Sequence, residues 1–376
     1  MSGRTIKRTI LIGVPVALVL LCLAAVFYLR SLALERSQPV SGRYFVSNDV
    51  SLAALISIRP EDKGIRELLQ TAAAAYDAQR EKDQGTWDSL TRFALGFDRP
   101  SDVVTRLLPI EGALIVRYDT RSAQFHSFSV CSVSGMAGLL NLLTDRLSWF
   151  SSEADKAYGK REHSDERLFV PQAGSDPPGP RLEARDFAAM LPTSLKAGSC
   201  WTLIRNNILI SRRPESLALA VDRLKAIYAN AVPSESVLAV PDTTGGVDCA
   251  AALSNDRGEL ACLLEMVASG THSKPMLTWL KTEQGLRDLA AVRYITATVD
   301  VQPGDKVAAV LVIQHTNYES VRRIVALLGV ALEDYRLPPP MRLRYETGLA
   351  ARKVEIRVTF LGLGEYVRRS FTPGAK

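Results

Sequence analysis

The residue types that do chemistry are all present in this chain, but not in the spacings that chemistry requires. The histidines His126, His163, His272 and His315 are scattered, with no HxxxH or HExxH pair to place two imidazoles on one helix face for a metal. A hydrolase nucleophile needs a serine on a strained strand-to-helix turn, written GxSxG. The nearest approach, Val133, Ser134, Gly135, lacks both of the pattern's flanking glycines, and Ser134 reads more economically as a helix cap. The run Asp242, Thr243, Thr244, Gly245 has one threonine too many for an aspartic-protease turn and no second copy to supply the partner carboxylate. Gly362 and Gly364 form only a GxG, with no P-loop lysine to hold a phosphate. Outside Cys22, the cysteines Cys131, Cys200, Cys249 and Cys262 form no CxxC pair. They read as small buried hydrophobes, with disulfides left open for an extracytoplasmic domain. The sequence therefore names no catalytic residue, no cofactor and no metal ligand.

Charge is the one concentrated signal. The chain carries a formal +6, and the segment from Arg336 to Lys376 alone holds nine basic residues against three acidic ones, leaving the remainder neutral. Within it Arg342, Arg344, Lys353 and Arg357 fall on the polar side of two alternating runs. They are candidate contacts to an anionic headgroup, a glycan or an acidic protein, set against the plainer role of keeping an outer strand face soluble. No exposed aromatics interleave with them, which disfavours nucleic acid.

The elements that must position these residues read as α+β: antiparallel sheets with helices packed on one face. Leu52–Ile58 has strand length, Lys63–Lys82 is helical, and Trp87–Phe97 and Asp102–Leu108 are two further short helices. A strand, turn, strand, helix order then recurs over 112–150, 201–228 and 292–333, with a capping box expected from Thr316 and Glu319. After Pro338, Pro339 and Pro340 comes a hairpin in which Leu343 and Tyr345 oppose Arg342, Arg344 and Glu346, and Val354, Ile356 and Val358 oppose Lys353, Glu355 and Arg357. The expected organisation is a tail over 1–8, a spanning helix over 9–29, a stalk over 30–48, a first half over 49–230, a linker over 231–246 and a second half over 247–376.

The stretch from Thr9 to Leu29 contains no charge and would cross about 30 Å of hydrocarbon as a helix. It predicts a signal anchor with a lipid bilayer as partner, N-terminus inside, and a bacterial inner-membrane protein whose domain faces out. The segment Leu108–Val116, with its second strand, leucine-rich helix and the later run Ile208–Ala226, resembles bacterial membrane-anchored proteins of a domain-of-unknown-function type. That resemblance implies an envelope location and transfers no functional residue. The expected function is a non-enzymatic envelope domain that binds a protein partner or helps an assembly. The alternatives are a lipid- or small-ligand-binding domain enclosed by helices such as Met136–Phe150, and an enzyme whose site is assembled from distant residues.

Overall fold

The structure, a computed structural model, describes residues 23–47, 49–80, 101–119, 124–146, 158–171, 199–230, 238–243, 247–261, 278–279, 281–334, 337, 339–350 and 352–370. Among them lie twelve strands in one antiparallel sheet. In chain order the first half supplies β1 (Leu52–Ile58), β2 (Ile110–Asp119), β3 (Gln124–Val133), β4 (Tyr158–His163), β5 (Glu166–Pro171), β6 (Cys200–Ile204) and β7 (Asn207–Ser211). The second half supplies β8 (Cys249–Ser254), β9 (Val292–Gln302), β10 (Lys306–His315), β11 (Arg342–Ala350) and β12 (Lys353–Leu361). The longer described helices are α1 (residues 23–34), α2 (Lys63–Arg80), α3 (Ser101–Leu107), α4 (Ala137–Arg146), α5 (Pro214–Tyr228), α6 (Glu283–Ala290), α7 (Tyr318–Asp334) and α8 (Leu363–Ser370).

Spatial order across the sheet is β11-β12-β10-β9-β8-β1-β2-β3-β7-β6-β5-β4. The halves meet where β1 pairs with β8, with Ala53 opposite Ala252 and Ala54 opposite Ala251. Moving outward from this seam, each half repeats one plan. β1 is followed by the β2–β3 hairpin and β8 by the β9–β10 hairpin; next come β7 and β12, each the second strand of its own hairpin. A helix follows each of those outer hairpins, α5 after β7 and α8 after β12.

Side chains alternate across a strand, so parity assigns each core to a face. Ala53, Leu55 and Ala252 belong to one cluster, with Phe128, Leu209 and the α5 residues Leu217, Val221 and Leu224. Their chain neighbours Leu52 and Leu253 belong to another, with Leu289 of α6, Val321 of α7, and Val354 and Ile356 of β12. The two cores therefore lie on opposite faces of the same sheet. This corrects the expected fold class in two respects: the strands form one sheet, because β8 adds to β1, and helices cover both faces.

The spanning helix expected over 9–29 is also corrected. Residues 9–22 lie outside the described residues, and among the described ones no helix is long and apolar enough to cross a membrane. The expected single-pass anchor and inner-membrane location therefore find no spanning helix among the described residues. The described end of α1 packs on protein: Ala33 is buried, and the Ala137 N–H donates to the Glu35 carbonyl at 3.1 Å. Residues 37–46, read as a stalk, add Phe45 and Val46 to the first core, and the Val40 N–H donates to Ser132 Oγ at 2.8 Å.

Candidate interaction site

The C-terminal hairpin gathers the four cationic residues singled out in the sequence. β11 pairs with β12 along its whole length, from Arg342 opposite Leu361 to Ala350 opposite Lys353. Apolar residues on one side of the hairpin, Val354 and Ile356 fully buried, join the α6–α7 core. Burying that stripe fixes the register, because a one-residue slip would turn it out to water. Arg342, Arg344, Lys353 and Arg357 consequently share the other side, and all four are exposed.

Acidic neighbours temper the charge of this side. Glu355 lies between Lys353 and Arg357, with Arg357 Nε at 2.7 Å and Lys353 Nζ at 3.5 Å. The Arg357 hydrogen bond holds the Glu355 carboxyl below its ordinary range. Glu346 stands opposite Arg357 in the register. Arg342 and Arg344, on the outermost strand, form no ion pair with the described residues. The cations nearest the edge are thus the ones left to meet an incoming group.

The edge itself is the second feature. β11 is nine residues long, and among the described residues the outer hydrogen-bonding row of its backbone has no partner strand. Its last four residues, Thr347 to Ala350, are exposed and uncharged, and Leu349 retains 46% of its accessible area. A strand of this kind can accept a further strand by main-chain hydrogen bonding. The opposite edge, β4, has six residues, and Lys160, Arg161 and Glu162 are exposed along it. Its turn is tied down: His163 Nε2 lies 2.8 Å from Asp222 Oδ1, and the Ser164 hydroxyl donates to the same oxygen at 2.9 Å.

The remaining sequence candidates stay apart. His126 Nδ1 sits 3.3 Å from Ser216 Oγ, His315 is buried at the end of β10, and His272 lies outside the described residues. Ser134 is buried, with its N–H donating to the carbonyls of Leu107 and Pro109. Asp242 pairs with Arg43 at 3.1 Å. Cys131, Cys200 and Cys249 are free thiols, and burial pushes Cys131 and Cys200 up to about 11, away from thiolate chemistry. Cys262 lies outside the described residues. Among those described, no group of three His, Cys, Asp or Glu side chains could hold a metal ion.

Three polar clusters have no signature in the sequence, because each joins residues far apart along it. Asp49 holds Arg223 at 2.8 Å and Arg117 at 2.9 Å, and these contacts help hold its carboxyl low against the opposing effect of burial. Asp288, buried in α6, receives two hydrogen bonds from Arg323 of α7, and its carboxyl is likewise held low. Asp248 is different: it sits beside Asp62 and Asp300 at the start of β8, and burial pushes it up to about 6. Its Oδ2 accepts the Val301 N–H at 2.6 Å. All three clusters fasten one element to another.

Comparison with protein-family models, with curated proteins and with solved structures finds no match to this chain, so the assignment of its site rests on geometry alone.

Proposed function

We infer that this protein is a non-enzymatic interaction or assembly component whose docking element is the β11 edge with its row of arginines. The observation that carries the reading is an inequality within the repeated plan. β6 and β11 occupy equivalent places, each the first strand of the hairpin whose second strand joins β3 or β10. Among the described residues, the first half covers β6 with the added hairpin β5–β4, whereas no strand pairs with the outer side of β11. An uncovered strand of this length is a template for pairing unless guarded, and β11 bears charge on its first half only.

The test is site-specific photo-crosslinking of the full chain in the cells that produce it, with the photoreactive residue at Thr347 or, as a control, at Lys160 on the opposite edge. Defined protein adducts from Thr347 and none from Lys160 are expected. No adduct from Thr347, or equal yields from both edges, would defeat the reading. No specific observation among the described residues favours the lipid- or ligand-binding alternative.

A further inference from the structure

We propose that the strand completing β11 is the β11 of a second copy of this chain, paired antiparallel about a two-fold axis at Tyr345; this rests on the reading of β11 as a docking edge. The polar side of the strand reads Arg342, Arg344, Glu346, Gly348, Ala350. In an antiparallel pair, residues directly opposite share a face of the sheet, and opposite charges there attract while like charges repel. With the axis at Tyr345, Arg344 faces the second copy's Glu346, Glu346 faces its Arg344, and Arg342 faces the side-chain-free Gly348. Moving the axis to Arg344 sets two arginines against each other, moving it to Glu346 opposes two glutamates, and moving it to Leu343 puts Arg342 against Arg344. Of the registers that lay β11 on β11, only the Tyr345 axis pairs unlike charges without opposing like ones.

The rest of the strand agrees with this choice. Arg344 forms no ion pair with the described residues, so the dimer supplies its partner. Glu346 would then lie between two arginines, the second copy's Arg344 and its own Arg357 across the hairpin. On the apolar side Leu343 would face Thr347, and Leu349, now 46% exposed, would be covered by the second copy's Met341. The sheet would continue unbroken through both copies, joined by the ladder from Arg342 to Gly348 of each. Edge pairing buries little area, so dissociation in the micromolar range is expected.

Analytical ultracentrifugation of the full chain at about 50 μM and low ionic strength tests the proposal at the concentration such an interface needs. A two-chain mass is expected, shifting toward one chain as salt is raised. Arg344→Glu and Glu346→Arg should each weaken association about tenfold or more by opposing like charges. An equimolar mixture of the two variants should restore a dimer with one of each, since the glutamate introduced at 344 then meets the arginine introduced at 346. Thermal melts close to wild type would show that each variant is folded, and Leu349→Lys provides a further variant outside the charge row, also expected to weaken the dimer. A single-chain mass for the wild type, or charge variants that each dimerise as tightly as it does, would overturn the proposal. In the first case, Thr347 adducts to a different protein would leave the docking-edge reading standing, whereas absent adducts would remove both.

Discussion

β6 and β11 are the same strand in two copies of one plan, and they have met opposite fates. β6 is internal: Trp201 stacks on Phe169 of β5 at 4.2 Å with the rings 11° from parallel, and Thr202 Oγ1 donates to the Arg167 carbonyl at 2.7 Å. β11 has the same role in its hairpin, but its outward side presents Arg342, Arg344 and a bare backbone row. Covering a strand turns its side chains into packing and its backbone into a ladder. Leaving it open keeps both available to another chain, and that difference is the basis of the docking role proposed for β11.

Several substitutions would break or sharpen this contrast. The largest effects should come from the helices that seal the two cores, since Leu217 of α5 and Leu289 of α6 are almost wholly buried. Leu217→Ala and Leu289→Ala should each cost about 2–5 kcal/mol in chemical denaturation. Because β1–β8 joins the halves, both variants should unfold in one transition by fluorescence and circular dichroism; two separate transitions would show that the seam does not couple them. Next in size is the covered strand itself. Trp201→Ala should cost about 2–4 kcal/mol, against less than about 0.5 kcal/mol for Leu349→Ala on the open one, and equal costs would erase the distinction.

A smaller effect belongs to the seam. Asp248 is pushed up to about 6 from the ordinary 3.8, so the folded chain holds a proton that the unfolded chain has already released. Its favourable contribution is therefore complete below about pH 4 and is lost as the pH rises through 6. Asp248→Asn cannot ionise, so its stability relative to wild type should grow across that window, reaching about 1–2 kcal/mol at pH 7. Denaturant midpoints at pH 4 and pH 7 measure this, and a gap independent of pH would refute it. Smallest of all, Arg342→Ser on the open edge should leave stability within about 0.5 kcal/mol, since its charge is exposed, while reducing adducts from Thr347 if it serves the proposed docking.

Local pattern marks many of the individual elements, though not how they assemble. The strand read at Leu52–Ile58 is β1 with the same bounds, the helix beginning at Pro214 ends at Tyr228, and the hairpin strands near 110–133 and 292–315 agree to within a few residues. Two pieces were not legible. The hairpin β4–β5 carries Lys160, Arg161, Glu162 and Arg167, a run too polar to read as paired strands. β8, Cys-Ala-Ala-Ala-Leu-Ser, looks like neither strand nor helix because alanine favours no pleated surface. The expected capping box is also replaced: Asn317 Oδ1 accepts the N–H groups of Glu319 at 3.0 Å and Ser320 at 3.3 Å, while Thr316 Oγ1 donates to the Ala291 carbonyl.

The unread β8 is the strand on which the architecture turns, for without it the halves would be two sheets and the two cores would have no common frame. Alternation in the sequence determined that Arg342, Arg344, Lys353 and Arg357 would share one side of a hairpin, because a strand's side-chain period is two and its apolar side must be buried. It could not determine that β11 would be an edge, nor that helices would cover both faces. Those follow from the pairing of β1 with β8 and from the hairpin that, among the described residues, is added to the first half alone. Such long-range contacts are decided by how whole surfaces fit, and leave no local trace in the chain.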